Sequence, residues 1–411
     1  IKGRIYKIGQ IGTFVKMPMG NITIYGIVGA VSDRPFAGEG DADSRQGSRF
    51  ISVQLIGEKI GDAEFEKGIG TYPTINDEVH LVIEKDLFEI YGEQSVGSIE
   101  IGKHSSSENL GVYVDTHNLI LRHCGILGST GSGKSNTTVS ILKSILTGYA
   151  GSRVILVDPH GEYSSAFPDA KVLKIGSEAD SLFIPFWLMT FEELAFFLVG
   201  ADQRDEQKIE YRMLRDLVTS MKKENVNLRA GVVNADLITA DSPVPFSARV
   251  LWHRMNWSLN ATFSTASKDE QIAANAQQLT PGDAEELLAA TFEPYAMGNG
   301  APYKSKGLEF YSYEKKILSR LKDSRFDFLF NPGDYKTAES PKDLHNLLSD
   351  WIGSERKLAI LDLSGVPFEV LDIAIGLITR FVYDSMFWGR NEAYTGKKRP
   401  ILLAFEEAHT Y

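Results

Sequence analysis

Disulfide crosslinks cannot hold this chain together, because a single cysteine, Cys124, stands among 411 residues. That excludes an intramolecular disulfide and a cysteine-rich zinc site, and leaves Cys124 as a small hydrophobe expected in the interior. No apolar run approaches the length of a membrane span, and no basic stretch with an apolar core opens the chain as a secretory signal would. Positive charge is also short: 43 lysines and arginines face 54 aspartates and glutamates, a net charge of −11. This argues against a protein that coats nucleic acid over its whole surface, while leaving room for DNA in a local channel. His123, His160 and His409 show no metal-ligand spacing, so no zinc site is expected. Internal repeats and low-complexity tracts are missing as well.

What remains is an ordinary globular composition, 43% apolar and 24% charged, for which a cytoplasmic enzyme fits best. The length is too great for one ordinary domain and calls for about two or three. The chain opens on Ile1 rather than methionine and stops at Tyr411 directly after an apolar strand and an acidic motif; both ends read as truncations.

From Gly3 to about Ile101 the pattern is short and alternating, as in Ile22–Tyr25 and Phe50–Ile56, and predicts a small β-barrel or sandwich over residues 1–101. Asp33–Ser48, rich in Gly, Asp, Ser and Arg, predicts a loop between two of its strands. After Gly102 strands alternate with helices, the signature of a parallel sheet. Strands are expected at Asn118–Leu121, Gly125–Leu127, Val154–Val157, Leu358–Leu361 and Ile401–Phe405, with a buried crossover helix over Glu369–Phe387. The polar, mainly helical stretch 191–325 reads as an insertion, so the α/β core comprises residues 102–190 and 326–411.

Gly128-Ser-Thr-Gly-Ser-Gly-Lys-Ser135 satisfies the P-loop pattern between an apolar run and an amphipathic helix. Its glycines let successive backbone N–H groups turn toward a phosphate chain at a helix N-terminus. Lys134 is placed to reach the β- and γ-phosphates and Ser135 to ligate Mg²⁺; Gly128, Ser129, Thr130, Gly131, Ser132, Gly133 and Asn136 complete the nucleotide-binding set. Phosphoryl transfer also needs acids near the metal and the attacking water. Ile401–Phe405 followed by Glu406 and Glu407 supplies them, with Glu406 for the metal and Glu407 as general base. Asp158 and His160, in Val154–Tyr163, end another strand; near the metal or γ-phosphate they would act in catalysis, and otherwise they cap a turn.

Together Gly128–Ser135, Asp158-Pro-His-Gly-Glu-Tyr163, Leu361-Asp-Leu-Ser-Gly365 and Glu406-Glu-Ala-His409 resemble the ordered motif set of the HerA branch of the HerA/FtsK superfamily. The resemblance implies a RecA-like P-loop NTPase core with a helical insertion, preceded by an all-β domain of the HAS-barrel kind. It further implies Mg²⁺-ATP bound at subunit interfaces of a hexameric ring, duplex DNA in a central pore, and a nuclease or sirtuin-type NADase as partner, in some relatives for phage defence. Glu406 departs from the commoner Asp of the family. Such motors also need a transition-state arginine; Arg380 and Arg390 are the candidates, and a helix-surface salt bridge is the competing role for each. Tyr303–Lys306 and Lys397–Arg399 are the basic segments that DNA or solvent would face. The alternative from another class is a nucleotide-gated scaffold that assembles a partner effector, ATP shifting a population rather than driving movement. A secretion or conjugation ATPase is a third reading.

Overall fold

The computed structural model of the chain describes residues 10–33, 49–91, 94–104, 107–121, 123–178, 180–200, 207–227, 234–296, 300–305, 311–335, 342, 344–353, 355–391 and 396–410. Two compact units divide it, Ile1–Tyr149 and Ala150–Tyr411. The loop expected at Asp33–Ser48 falls almost wholly outside the described residues.

In the first unit, β1 (Phe14–Met19), β2 (Ile22–Ser32), β3 (Phe50–Ile60), β4 (Glu66–Lys67) and β5 (His80–Leu81) form one antiparallel sheet in the order β4-β3-β2-β1-β5. Alternation builds two cores from it. Val15, Met17, Ile24 and Val28 bury themselves on one face. Tyr25 packs with Val82, Leu87 and Leu110 in a separate cluster. Among the described residues no pairing of β4 with β5 closes the sheet into a barrel. Helix α1 (Glu84–Tyr91) follows, tied to β1 by an ion pair of 2.7 Å between Lys16 and Asp86. A hairpin of β6 (Ser98–His104) and β7 (Ser107–Asp115) then leads to α2 (Thr116–Leu121) and α3 (Lys134–Gly148).

Three sequence expectations fail in this unit. Asn118–Leu121 belongs to a helix, because the Asp115 carboxylate accepts the Asn118 N–H at 2.8 Å and starts a helical turn that the short apolar run cannot override. Gly125–Leu127 carries no strand. It offers only Ile126 and Leu127 between glycines, and Leu127 stands 96% exposed. Cys124 is exposed rather than buried, beside His123, whose φ is 63°.

The second unit is organised around a parallel sheet. Its elements are β8 (Val154–Asp158), β9 (Lys171–Lys174), α4 (Phe191–Val199), α5 (Ile209–Asn227), α6 (Ala248–Asn260), the short strands β10 (Thr262–Phe263), β11 (Gln278–Thr280), β12 (Thr291–Phe292) and β13 (Tyr303–Lys304), α7 (Tyr311–Leu321), α8 (Asp327–Phe330), α9 (Leu344–Trp351), β14 (Leu358–Asp362), α10 (Phe368–Trp388) and β15 (Leu402–Phe405). Strand order is β15-β8-β14-β9, all parallel. Every residue of β8 and β14 is buried, which is why both read as unbroken apolar runs. The short strands pair as two antiparallel ribbons, β10 with β13 and β11 with β12, inside a stretch expected to be mainly helical.

One continuous core joins the sheet to these helices. Ile155, Val157 and Leu361 pack in the same cluster as Leu214 and Val218 of α5, Leu251 and Trp252 of α6, and Ile317 of α7. Helix α10 contributes Val370, Ala374, Leu377, Ile378, Phe381 and Val382, buried on more than one side as its composition requires. Its last turns differ: Tyr383, Phe387 and Trp388 are exposed.

Candidate functional site

The P-loop is set up by its own backbone. Gly131 and Gly133 take φ of 78° and 97°, the left-handed region that costs other residues about 1–2 kcal/mol. A Cβ on Gly128 would collide with the Ser132 hydroxyl. Two of the motif's positions therefore disfavour a side chain by conformation, and at a third a side chain would displace the Ser132 hydroxyl. Ser132 donates its N–H to the Ser129 carbonyl at 3.1 Å, closing the turn, and Thr137 donates to Gly133 at 2.9 Å as the first helical bond of α3. Gly133, as N-cap, contributes no side-chain hydrogen bond to that first turn. Gly128–Ser132 and Asn136 are exposed, while Gly133, Lys134 and Ser135 are half-buried. Behind the loop, the Ser140 and Ser144 hydroxyls bond the carbonyls of Ile101 and Glu100 on β6, at 3.0 and 2.5 Å, and hold the helix in place.

This arrangement fits a nucleoside triphosphate. An anion meets backbone N–H groups, the positive end of a helix dipole and a lysine. The Ser135 hydroxyl in the first unit and the Glu406 carboxylate in the second are each hard oxygen donors of the kind Mg²⁺ takes.

The acidic candidates end the strands of the second unit. Asp362 pairs in register with Asp158, and Glu406 donates its N–H to the Val157 carbonyl at 3.2 Å, so the three carboxylates share one end of the sheet. Their environments differ. Asp158 is wholly buried and accepts backbone N–H groups from His160 at 3.2 Å, Gly161 at 2.8 Å and Tyr163 at 3.0 Å. These are the bonds of a turn cap, one of the two roles open to it. His160 itself is exposed.

Asp362, part of the Leu361–Gly365 motif but given no role from the sequence, accepts Ser364 N–H at 2.9 Å and pairs with Lys174 at 3.2 Å. Burial pushes its carboxyl upward, but hydrogen bonds from Ser364 and Lys174 outweigh this and hold it below the usual range. Gly161, at φ 72°, passes so close that a Cβ would lie 3.1 Å from both Asp362 oxygens. An aspartate ending an apolar strand was the available signal. Tyr163, buried, donates its hydroxyl to Glu406 Oε2, a contact that no sequence pattern marks.

Glu407 takes φ 49°, rare for a side chain of its size and a form of strain that gathers at functional positions. Its carboxylate lies 3.1 Å from His409 Nδ1. Arg380, the transition-state candidate, donates to the Leu188 carbonyl at 3.0 Å and pairs with Glu193, the residue that completes the capping box of α4. Arg390 lies over the Phe387 ring. Lys397 and Lys398 are exposed in a short 3₁₀ turn, and Lys304 stands near the rings of Tyr295 and Tyr311; Lys306 is outside the described residues. Among the described residues no group of His, Cys, Asp and Glu is gathered as a metal cluster, and no helix is long and apolar enough to cross a membrane.

Residues 99–382 match the family model described as helicase HerA, central domain (DUF87). This chain belongs to that family. The matched span runs from β6 through most of α10 and so takes in the P-loop, β8 and β14. Among curated relatives, the probable DNA double-strand break repair helicase HerA of Methanocaldococcus jannaschii is 42% identical over 29% of this HerA-family chain and 23% of its own length. The DNA double-strand break repair helicase HerA of Saccharolobus solfataricus is 35% identical over 80% of the chain and 51% of its own. The chain thus spans about half the length, or less, of these relatives. The solved structure of VirB4 of Thermoanaerobacter pseudethanolicus is similar at a TM-score of 0.41 and 16% identity, over 78% of this chain and 70% of that one.

Proposed function

We propose that this chain is the ATP-hydrolysing part of a DNA-translocating motor. The observation that carries the reading is the P-loop backbone, with Gly131 and Gly133 left-handed at the start of α3, in a chain of the HerA central-domain family. Gly128–Ser135 and Asn136 bind the triphosphate, Lys134 neutralising charge that develops on its outer phosphates. Ser135 and Glu406 hold Mg²⁺, which when bound lowers the charge repulsion met by the attacking water. Glu407, at a backbone φ of 49°, takes the proton of that water. His160 contacts the nucleotide from the turn that Asp158 shapes. Residues 1–101 form a separate β domain, 102–190 with 326–411 the ATPase core, and 191–325 its helical insertion. The motor works as a cytoplasmic ring, a hexamer around duplex DNA, with a nuclease or NADase docked on it; the curated relatives' names as DNA-break repair helicases support the DNA part.

ATP turnover measured with and without duplex DNA tests this. Wild type is expected to be stimulated by duplex, Lys134→Ala to lose nucleotide binding, and Glu407→Gln to retain bound ATP while turnover falls at least a hundredfold. A Glu407→Gln variant with normal turnover removes the base assignment. ATPase activity indifferent to DNA removes the motor.

A further inference from the structure

The sheet end holds a buried relay that the assigned roles do not use. Asp158 spends its carboxylate on the backbone of His160, Gly161 and Tyr163, and so fixes the course of the turn. That turn brings the Tyr163 ring to 2% exposure and its hydroxyl onto Glu406 Oε2. Glu406 is itself only 7% exposed and is anchored through its N–H to Val157. A glutamate has one more rotatable bond than an aspartate, and without a partner its carboxylate would sample several rotamers. The hydrogen bond from Tyr163 restricts that freedom at one oxygen.

The geometry points to Tyr163 as a positioning residue: by holding Oε2 of Glu406 it presents the carboxylate in one orientation to a divalent cation. Asp158 is then the foundation of the relay rather than a ligand. This rests on the proposed metal role of Glu406. The longer arm of a glutamate is thereby braced by a phenol.

Tyr163→Phe removes one oxygen and keeps the ring, so packing is retained; circular dichroism and thermal melting check this. Binding of Mn²⁺ in the presence of ADP, followed by electron paramagnetic resonance, and binding of ADP without metal are measured for wild type, Tyr163→Phe and Glu406→Gln. Loss of such an outer partner typically weakens metal affinity by 10–100-fold. The expected result is Mn²⁺ affinity about tenfold weaker in Tyr163→Phe, with metal-free ADP affinity unchanged, and weaker still in Glu406→Gln. If Glu406→Gln weakens Mn²⁺ binding and Tyr163→Phe does not, the positioning role is wrong and the metal role stands. If Glu406→Gln binds Mn²⁺ like wild type, the metal role of Glu406 is wrong and the inference falls with it. Equal losses of metal and metal-free nucleotide binding in Tyr163→Phe reduce Tyr163 to a packing residue.

Discussion

Substituting Asp158 separates a turn-building aspartate from a catalytic one. In Asp158→Asn the carbonyl oxygen can still serve His160 and Gly161, but the new amide meets the Tyr163 N–H donor to donor. One hydrogen bond to a charged acceptor disappears, worth about 1.5–3 kcal/mol, and a buried N–H is left unsatisfied at about 1–3 kcal/mol. These overlap, so the expected loss is about 3 kcal/mol; Asp158→Ala, which abandons all three bonds, should lose about 5 kcal/mol. The five tryptophans, at positions 187, 252, 257, 351 and 388, all belong to the second unit. Urea denaturation followed by tryptophan fluorescence therefore reports the unfolding of that unit alone. Asp158→Asn within about 0.5 kcal/mol of wild type, but with turnover abolished, would overturn the turn-building role and make Asp158 catalytic.

Lys222, fully buried, donates to the Ala240 and Ser242 carbonyls at 2.6 and 2.7 Å and lies near the Phe246 ring; burial lowers it to about 7, against a smaller upward pull from Asp241. Between pH 7 and the unfolded value of 10.5 the unfolded chain binds the extra proton, so this group makes stability rise with pH across that window, by at most about 1.4 kcal/mol per unit. Urea titrations from pH 7 to 9.5 should show that slope in wild type and not in Lys222→Met; identical slopes refute it. Arg380→Gln gives up the Leu188 carbonyl and Glu193 and should cost about 1–2 kcal/mol, with turnover reduced less than tenfold. A thousandfold fall in kcat at unchanged stability would assign Arg380 to the transition state instead.

What the sequence made legible follows from range. Strands β8 and β14 are apolar runs closed by aspartate, and their full burial leaves no other way to satisfy both faces. The P-loop was legible because its glycines answer to local constraints of φ and space. α2 runs against the strand that three apolar residues suggest, because Asp115 carries an N-cap signal that outranks them. The ribbons β10 to β13 are only two or three residues per strand, too short for any periodicity. Contacts across the chain were invisible: Tyr163 and Glu406 lie 243 residues apart, and only the register of the sheet brings them together.

That register also dictates how the second unit can be made. Its central pair joins Val154 to Leu358, roughly two hundred residues later in the chain, and the entropy of closing so long a loop must be met before the pairing is rewarded. During synthesis β8 therefore emerges with its fully apolar flanks long before β14 exists to cover them. The segment from Leu173 to Leu188 and then helices α4 to α7, which pack on the same core as Ile155 and Val157, are able to shelter it before β14 is made. The helical stretch that looks like an addition to the sheet thus becomes part of the nascent strand's protection against association with another chain.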